Sequence, residues 1–171
     1  MSTPQAVEKE STPAPAAAAS QFLSFVLAGE EYGVDILKVQ EIRGWVPVTQ
    51  IPNTLAYVQG VLNLRGTIVP VIDLRLRFGL PKLDYSATTV VIVLSVAGAT
   101  GRRVLGAVVD GVSDVLNVAP DQIRPAPDFG SVVRTEFING MASIGERMVI
   151  LLDIDKLLTA DELQSLDETH G

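Results

Sequence analysis

The chain contains no cysteine, which excludes disulfides, thiolate metal sites and cysteine nucleophiles. Its single histidine, His170, stands next to the last residue, beyond the last periodic segment, where order is least expected. Ser-His-Asp chemistry, His-based zinc sites and the usual general base at neutral pH are thereby removed. Aromatic residues are only 5% of the chain, no block of basic residues occurs, and the formal net charge is −7. Such a composition argues against both stacking platforms and phosphate-neutralising surfaces, hence against nucleic acid as a partner. No Gly-rich phosphate loop or dinucleotide fingerprint is present. Met1–Glu10 has no apolar run, and stretches such as Val90–Leu94 are far too short to cross a bilayer. A soluble cytoplasmic protein with no membrane insertion is expected. A carboxylate pair, or a metal bound by carboxylates, is the one catalytic option left.

What is present is present twice. Phe22–Ala28 followed by Gly29 echoes Val91–Ala97 followed by Gly98, and Tyr32-Gly33-Val34 echoes Leu105-Gly106-Ala107 at an offset of 73. That offset persists through Val39/Val112, Glu41/Asp114, Ile42/Val115 and Pro52/Pro125. After a seven-residue insertion it becomes 80, matching Tyr57–Gly60 with Phe137–Gly140 and Val69–Leu74 with Val149–Ile154. A repeat of roughly 70 residues exceeds solenoid periods and reads as two small homologous domains. Hydrophobic residues make up 47%, enough for a core, yet each copy alone buries too little surface to be secure. The copies are therefore expected to share an interface.

Residues 2–20 are Ser, Thr, Pro, Gln and Ala with few charges and read as a disordered tail. The remainder is punctuated by Gly or Pro every eight to twelve residues, with short β-branched runs between. Strands are predicted at 22–28, 32–36, 46–50, 61–64 and 68–73, then at 88–97, 103–109, 115–118, 141–144 and 148–153. Short helical turns are predicted at Leu37–Ile42 and Thr54–Gln59. Thr159-Ala-Asp-Glu162 has the form of a capping box and predicts a helix over about 160–168. The expected class is mainly all-β: two duplicated five-stranded SH3-like barrels over 21–85 and 86–158, with 159–171 as helix and tail. Duplicated halves are able to exchange strands, so the repeat leaves open which strands close which barrel.

Polar positions at which the copies differ are the better functional candidates. Arg65-Gly66 occupies a turn between apolar strands where the second copy has Gly145-Glu146. An Arg that the duplicate omits is free to recognise a carboxylate or carbonyl; the competing reading is a solvated turn residue. Glu41 and Asp114 are acids kept in both copies and read equally as an internal ion pair. Val39 shares a face with Glu41 if the segment is a regular strand. Asp73 and Asp153 each end an apolar run, and their agreement favours capping of the segment that follows. As a catalytic pair for a carboxylate hydrolase they are weak candidates. The stiff Arg124-Pro-Ala-Pro-Asp-Phe129 segment reads either as a strand terminator or as a rigid loop presenting Arg124 and Phe129.

Together, Glu31–Trp45, Ile51–Thr54, Asn63–Arg75, Val108–Leu116 and Ile123–Pro127 resemble the CheW family of bacterial chemotaxis adaptors, over about residues 21–166. The resemblance implies two SH3-like barrels, no catalysis and no cofactor. It implies binding of the chemoreceptor cytoplasmic tip near the barrel junction, through positions matching Val39, Glu41, Gly60, Arg65 and Val115. It further implies engagement of the regulatory domain of the histidine kinase CheA, with Arg124, Asp128 and Phe129 on the kinase side, and ring contacts with other CheW copies. Recruitment to membrane-associated receptor arrays follows from the same likeness, which flagellar and non-flagellar chemosensory adaptors share. The Ala/Pro tail and the long hairpin at Gly98–Arg103 depart from the family pattern.

Overall fold

The computed structural model describes residues 20–50, 52, 55–98, 101–125 and 137–156. The tail, Asp128, Phe129 and the helix expected over 160–168 lie outside them. The described strands are β1 Ser20–Leu27, β2 Glu30–Asp35, β3 Val39–Gly44, β4 Val58–Leu64, β5 Thr67–Asp73, β6 Val90–Gly98, β7 Gly101–Val109, β8 Gly111–Val118, β9 Ile123–Arg124, β10 Ile138–Ile144 and β11 Arg147–Leu152. One helical turn, α1 (Leu74–Arg77), follows β5, with the buried Asp73 carboxylate accepting from the Arg75 and Leu76 amides. That is the capping role read from the repeat, and Asp153 plays it again by accepting from the Asp155 amide.

The strands form two mixed sheets, in the orders β3-β6-β7-β5-β4 and β9-β10-β11-β2-β1-β8. Each sheet therefore draws on both copies of the repeat. The β6–β7 hairpin of the second copy joins the sheet of β3–β5, with β7 parallel to β5. Reciprocally, the β1–β2 hairpin of the first copy joins β8–β11, with β2 parallel to β11. The boundary between residues 85 and 86 is consequently not a boundary between sheets. Residues 39–109 make a central barrel, and the two outer portions of the described chain meet in a composite one.

Both barrels close in the same way. Beyond β3, Thr49 exchanges backbone hydrogen bonds of 3.0 and 2.9 Å with Val61 of β4. Beyond β8, a single 3-10 turn leads into β9, which pairs with β10. A Cβ at Gly60 would lie 2.2 Å from the Thr49 carbonyl oxygen, and one at Gly140 would lie 3.0 Å from that of Arg124. Both glycines have positive φ, 152° and 157°. The glycine shared by the copies is thus what lets the closing strand approach.

Strand faces sort into three apolar cores. Leu62, Leu64, Val69, Val71, Val91, Val93 and Val108 fill the central barrel, and Leu116, Val118, Ala142, Val149 and Leu151 fill the composite one. Alternate residues such as Leu23, Phe25, Leu27, Ile72, Ile92, Leu94, Leu105 and Ala107 point the other way, into a core shared by both barrels. A strand buried on both faces needs an unbroken apolar run, which explains Val90–Leu94 and Val69–Ile72. Phe25, Tyr32, Phe78 and Phe137 stack through the shared core with centroid spacings of 5.9, 5.9 and 5.6 Å. Arg77 lies over both members of a repeat-matched pair, 5.0 Å from the Tyr57 ring and 4.7 Å from Phe137. The shared interface expected from size is the aromatic centre of the molecule.

Two local expectations are corrected. The helical turn predicted at Leu37–Ile42 is limited to the 3-10 turn Ile36–Lys38, and Val39–Gly44 is strand β3. Pairing with the buried β6 overrides the helix-like spacing of Val39 and Ile42. The strand predicted at 46–50 reduces to the bridge at Thr49, because Pro47 has no amide to donate.

Candidate interaction surfaces

Three of the sequence-chosen residues, Val39, Glu41 and Arg65, lie in the central barrel at β3 and the β4–β5 hairpin. A β-bulge separates the first two, so that Val39 pairs with Leu94 and Glu41 with Val93. Leu94 belongs to the shared core and Val93 to the barrel interior. Val39 and Glu41 therefore face opposite sides, contrary to the regular-strand expectation. Val39 packs half-buried on the shared core. Glu41 reaches the barrel mouth, where Arg65 Nη2 donates to its Oε1 at 2.5 Å and Arg43 Nη1 stands 3.5 Å from Oε2. The alternative reading of Glu41, an internal ion pair, is what this geometry contains.

Arg65 occupies the left-handed region at φ 50°, followed by Gly66 at 88°, while in the second copy Gly145 takes the equivalent place at 60°. A non-glycine residue pays roughly 1 kcal/mol or more for this conformation. The turn is helped by the Gly66 amide, which donates to Asn63 Oδ1 at 2.8 Å. Arginine is thus held at a strained hairpin tip that the duplicate builds with glycine, and its side chain is 76% exposed.

Val115 of β8 pairs with Leu23 and is 47% exposed; its repeat partner Ile42 pairs with Ile92 and is 44% exposed. Both cross-strand neighbours belong to the shared core. Ile42 and Val115 accordingly occupy the uncovered margin of the faces that the barrels turn to each other. Ile42 and Arg43 were not chosen from sequence. The match of Ile42 to Val115 was the available signal for the first; nothing in the sequence marked Arg43. Gly60 is buried at barrel closure, so its described role is packing. Arg124 is exposed in the short edge strand β9, where it pairs with Met141.

The second acid, Asp114, is paired as well. Arg147 on β11 binds Glu31 on β2 and Asp114 on β8, and Ser24 Oγ donates to both carboxylates at 2.9 and 3.3 Å. The Arg147 hydrogen bonds hold the Glu31 and Asp114 carboxyls below their ordinary range. Depressed carboxylates stabilise the fold above their unfolded pKa values, and that contribution is lost as pH falls through the lower folded values. Arg147→Gln should therefore lower the urea midpoint at about pH 7 more than at about pH 3.5, flattening the acid dependence. An equal loss at both pH values would assign Arg147 a packing role only.

Asp73, the first half of the weak catalytic pair, is 1% exposed, caps α1 and accepts from Tyr85 Oη at 2.6 Å. Burial, followed by this bond to the carboxylate, pushes the Tyr85 hydroxyl well above its usual range. A carboxylate so occupied is poorly placed to act as a base. Among the described residues, no cluster of carboxylates is suited to holding a metal ion. No described helix is long and apolar enough to cross a membrane.

The duplicated, mutually exchanged barrels, with paired charges at their mouths and apolar residues exposed at their junction, define a binding module. A CheW-like domain model matches residues 21–162. The chain is 54% identical over 147 residues to a chemotaxis protein CheW of Klebsiella aerogenes, covering 86% of each chain. It is 38% identical to a probable chemotaxis protein CheW of Rhizobium etli, covering 85% of this chain and 91% of that one. The crystal structure of a scaffolding CheW from Thermoanaerobacter tengcongensis superimposes with a TM-score of 0.76 at 33% identity, covering 84% of this chain and 95% of that one. The chain belongs to the CheW family of non-catalytic chemotaxis scaffold proteins, whose fold is two SH3-like β-domains.

Proposed function

We propose that this chain is the adaptor that couples chemoreceptors to the histidine kinase CheA, acting in the cytoplasm at membrane-associated receptor arrays. The observation that carries the reading is the pair Ile42 and Val115, exposed at the margin of the inter-barrel faces while their strand neighbours are buried. A receptor hairpin tip docked at that junction would meet an apolar centre, with Arg65 and Glu41 as a charged flank. Val39 supports this surface from the shared core, and Gly60 keeps the adjoining barrel closed. The kinase regulatory domain is assigned to the separate edge carrying Arg124, together with Asp128 and Phe129, which follow it in the sequence. Rings with further copies of the same module would use the edge surfaces rather than the junction.

Arg65→Glu reverses a charge at a hairpin tip whose counterpart contains no Arg, so the fold should survive. It is expected to cost roughly 2 kcal/mol or more of binding to a receptor cytoplasmic fragment. Arg124→Asp should weaken association with the kinase regulatory domain and leave receptor binding nearly unchanged. Titration of both folded variants against both partners decides the matter. Equal loss of both partners by both variants would replace two surfaces with one shared site.

A further inference from the structure

Among the described residues, the ion-paired clusters at the two homologous barrel mouths have opposite balances of charge. In the composite barrel one cation, Arg147, serves two acids, Glu31 and Asp114. In the central barrel two cations, Arg43 and Arg65, share one acid, Glu41. The surplus there is positive in a chain whose net charge is −7. Arg65 is the exposed member, whereas Glu41 is only 25% exposed and Arg43 37%. Among the described residues, the buried Nε of Arg43 has no hydrogen-bond partner. Arg43 thus has unused donor capacity beside a carboxylate that is satisfied chiefly by Arg65.

We propose that Arg43 is a hand-over residue: Arg65 leaves Glu41 for a carboxylate of the docked partner, and Arg43 closes on Glu41 in its place. The inference rests on the receptor-docking reading above and adds to it the chemistry of the recognised group. Without a second cation, releasing Arg65 would strand a largely buried carboxylate, and that penalty would be subtracted from binding. Arg43 removes the penalty without touching the partner, so it is a positioning residue. The surplus charge of the mouth selects an acidic partner group, and a basic one would meet two arginines.

The test is a double-mutant cycle on the full chain, titrated against a soluble cytoplasmic hairpin fragment of a chemoreceptor. Arg43→Gln should weaken binding about tenfold, with Arg43→Lys restoring most of it. Association with the kinase regulatory domain and the thermal midpoint should stay as in the wild type, which a merely structural role would not allow. In a Glu41→Gln background, where no carboxylate is left to strand, Arg43→Gln should have no further effect. An equal loss in that background would mean that Arg43 meets the partner directly and would overturn the hand-over. Full binding by Arg43→Gln with loss by Arg65→Glu would also overturn it, leaving the docking site in place. Full binding by Arg65→Glu would remove the docking site itself.

Discussion

Phe78→Ala is expected to destabilise the protein by about 3–5 kcal/mol, the usual range for a phenylalanine excised from a packed core. Phe78 is 2% exposed and stands in the middle of the aromatic chain, against Tyr32 on one side and Phe137 on the other. Those neighbours come from different copies of the repeat, and Arg77 beside it spans Tyr57 and Phe137. Collapse around the vacancy would require both barrels to shift, so little of the cavity can be recovered. The thermal midpoint should fall by roughly 10 °C, and unfolding should remain one transition because the shared core belongs to both barrels. Calorimetry distinguishes the outcomes: a loss under about 1 kcal/mol, or two separated transitions, would show that the barrels are stable individually.

A larger effect is expected from dividing the chain between residues 85 and 86. Neither part, residues 1–85 or residues 86–171, should fold alone. In the first, the β1–β2 hairpin loses both β8 and β11, and β5 loses its parallel neighbour β7. An isolated two-stranded ribbon is marginal in water, and Leu23, Phe25 and Leu27 would be stripped of the shared core. Mixing the two fragments should restore the native spectrum, because every lost pairing is supplied by the other part. Amide spectra of each fragment and of the mixture provide the measurement. A cooperatively folded 1–85 fragment would mean that the copy can close on its own strands, against the exchanged arrangement.

The repeat made the strand inventory legible, since two noisy copies of one pattern reinforce each other. It could not reveal the exchange: β1 and β6 are equivalent in sequence, so either satisfies the apolar pattern of a sheet that wants one. Register details were hidden for a similar reason. The bulge between Val39 and Glu41 leaves no compositional trace, yet it turns their side chains to opposite faces. Arg65 was legible as a departure from the duplicate, and Asp73 as a cap from agreement with Asp153. Arg43 was not, because an arginine in a strand of alternating exposure looks solvated until its Nε is found buried. Gly60 matches Gly140 in the repeat, but only the approach of the Thr49 carbonyl shows why a side chain is excluded there.

The coupling itself is tested most directly by reconstitution. CheA autophosphorylation is followed with a receptor cytoplasmic fragment, with and without this chain, and with Arg65→Glu in its place. The adaptor account predicts that wild-type chain makes kinase activity dependent on the receptor fragment, and that Arg65→Glu fails to do so while still binding the kinase regulatory domain. Kinase activity that responds to receptor equally in the absence of the chain, or equally with Arg65→Glu, would contradict it.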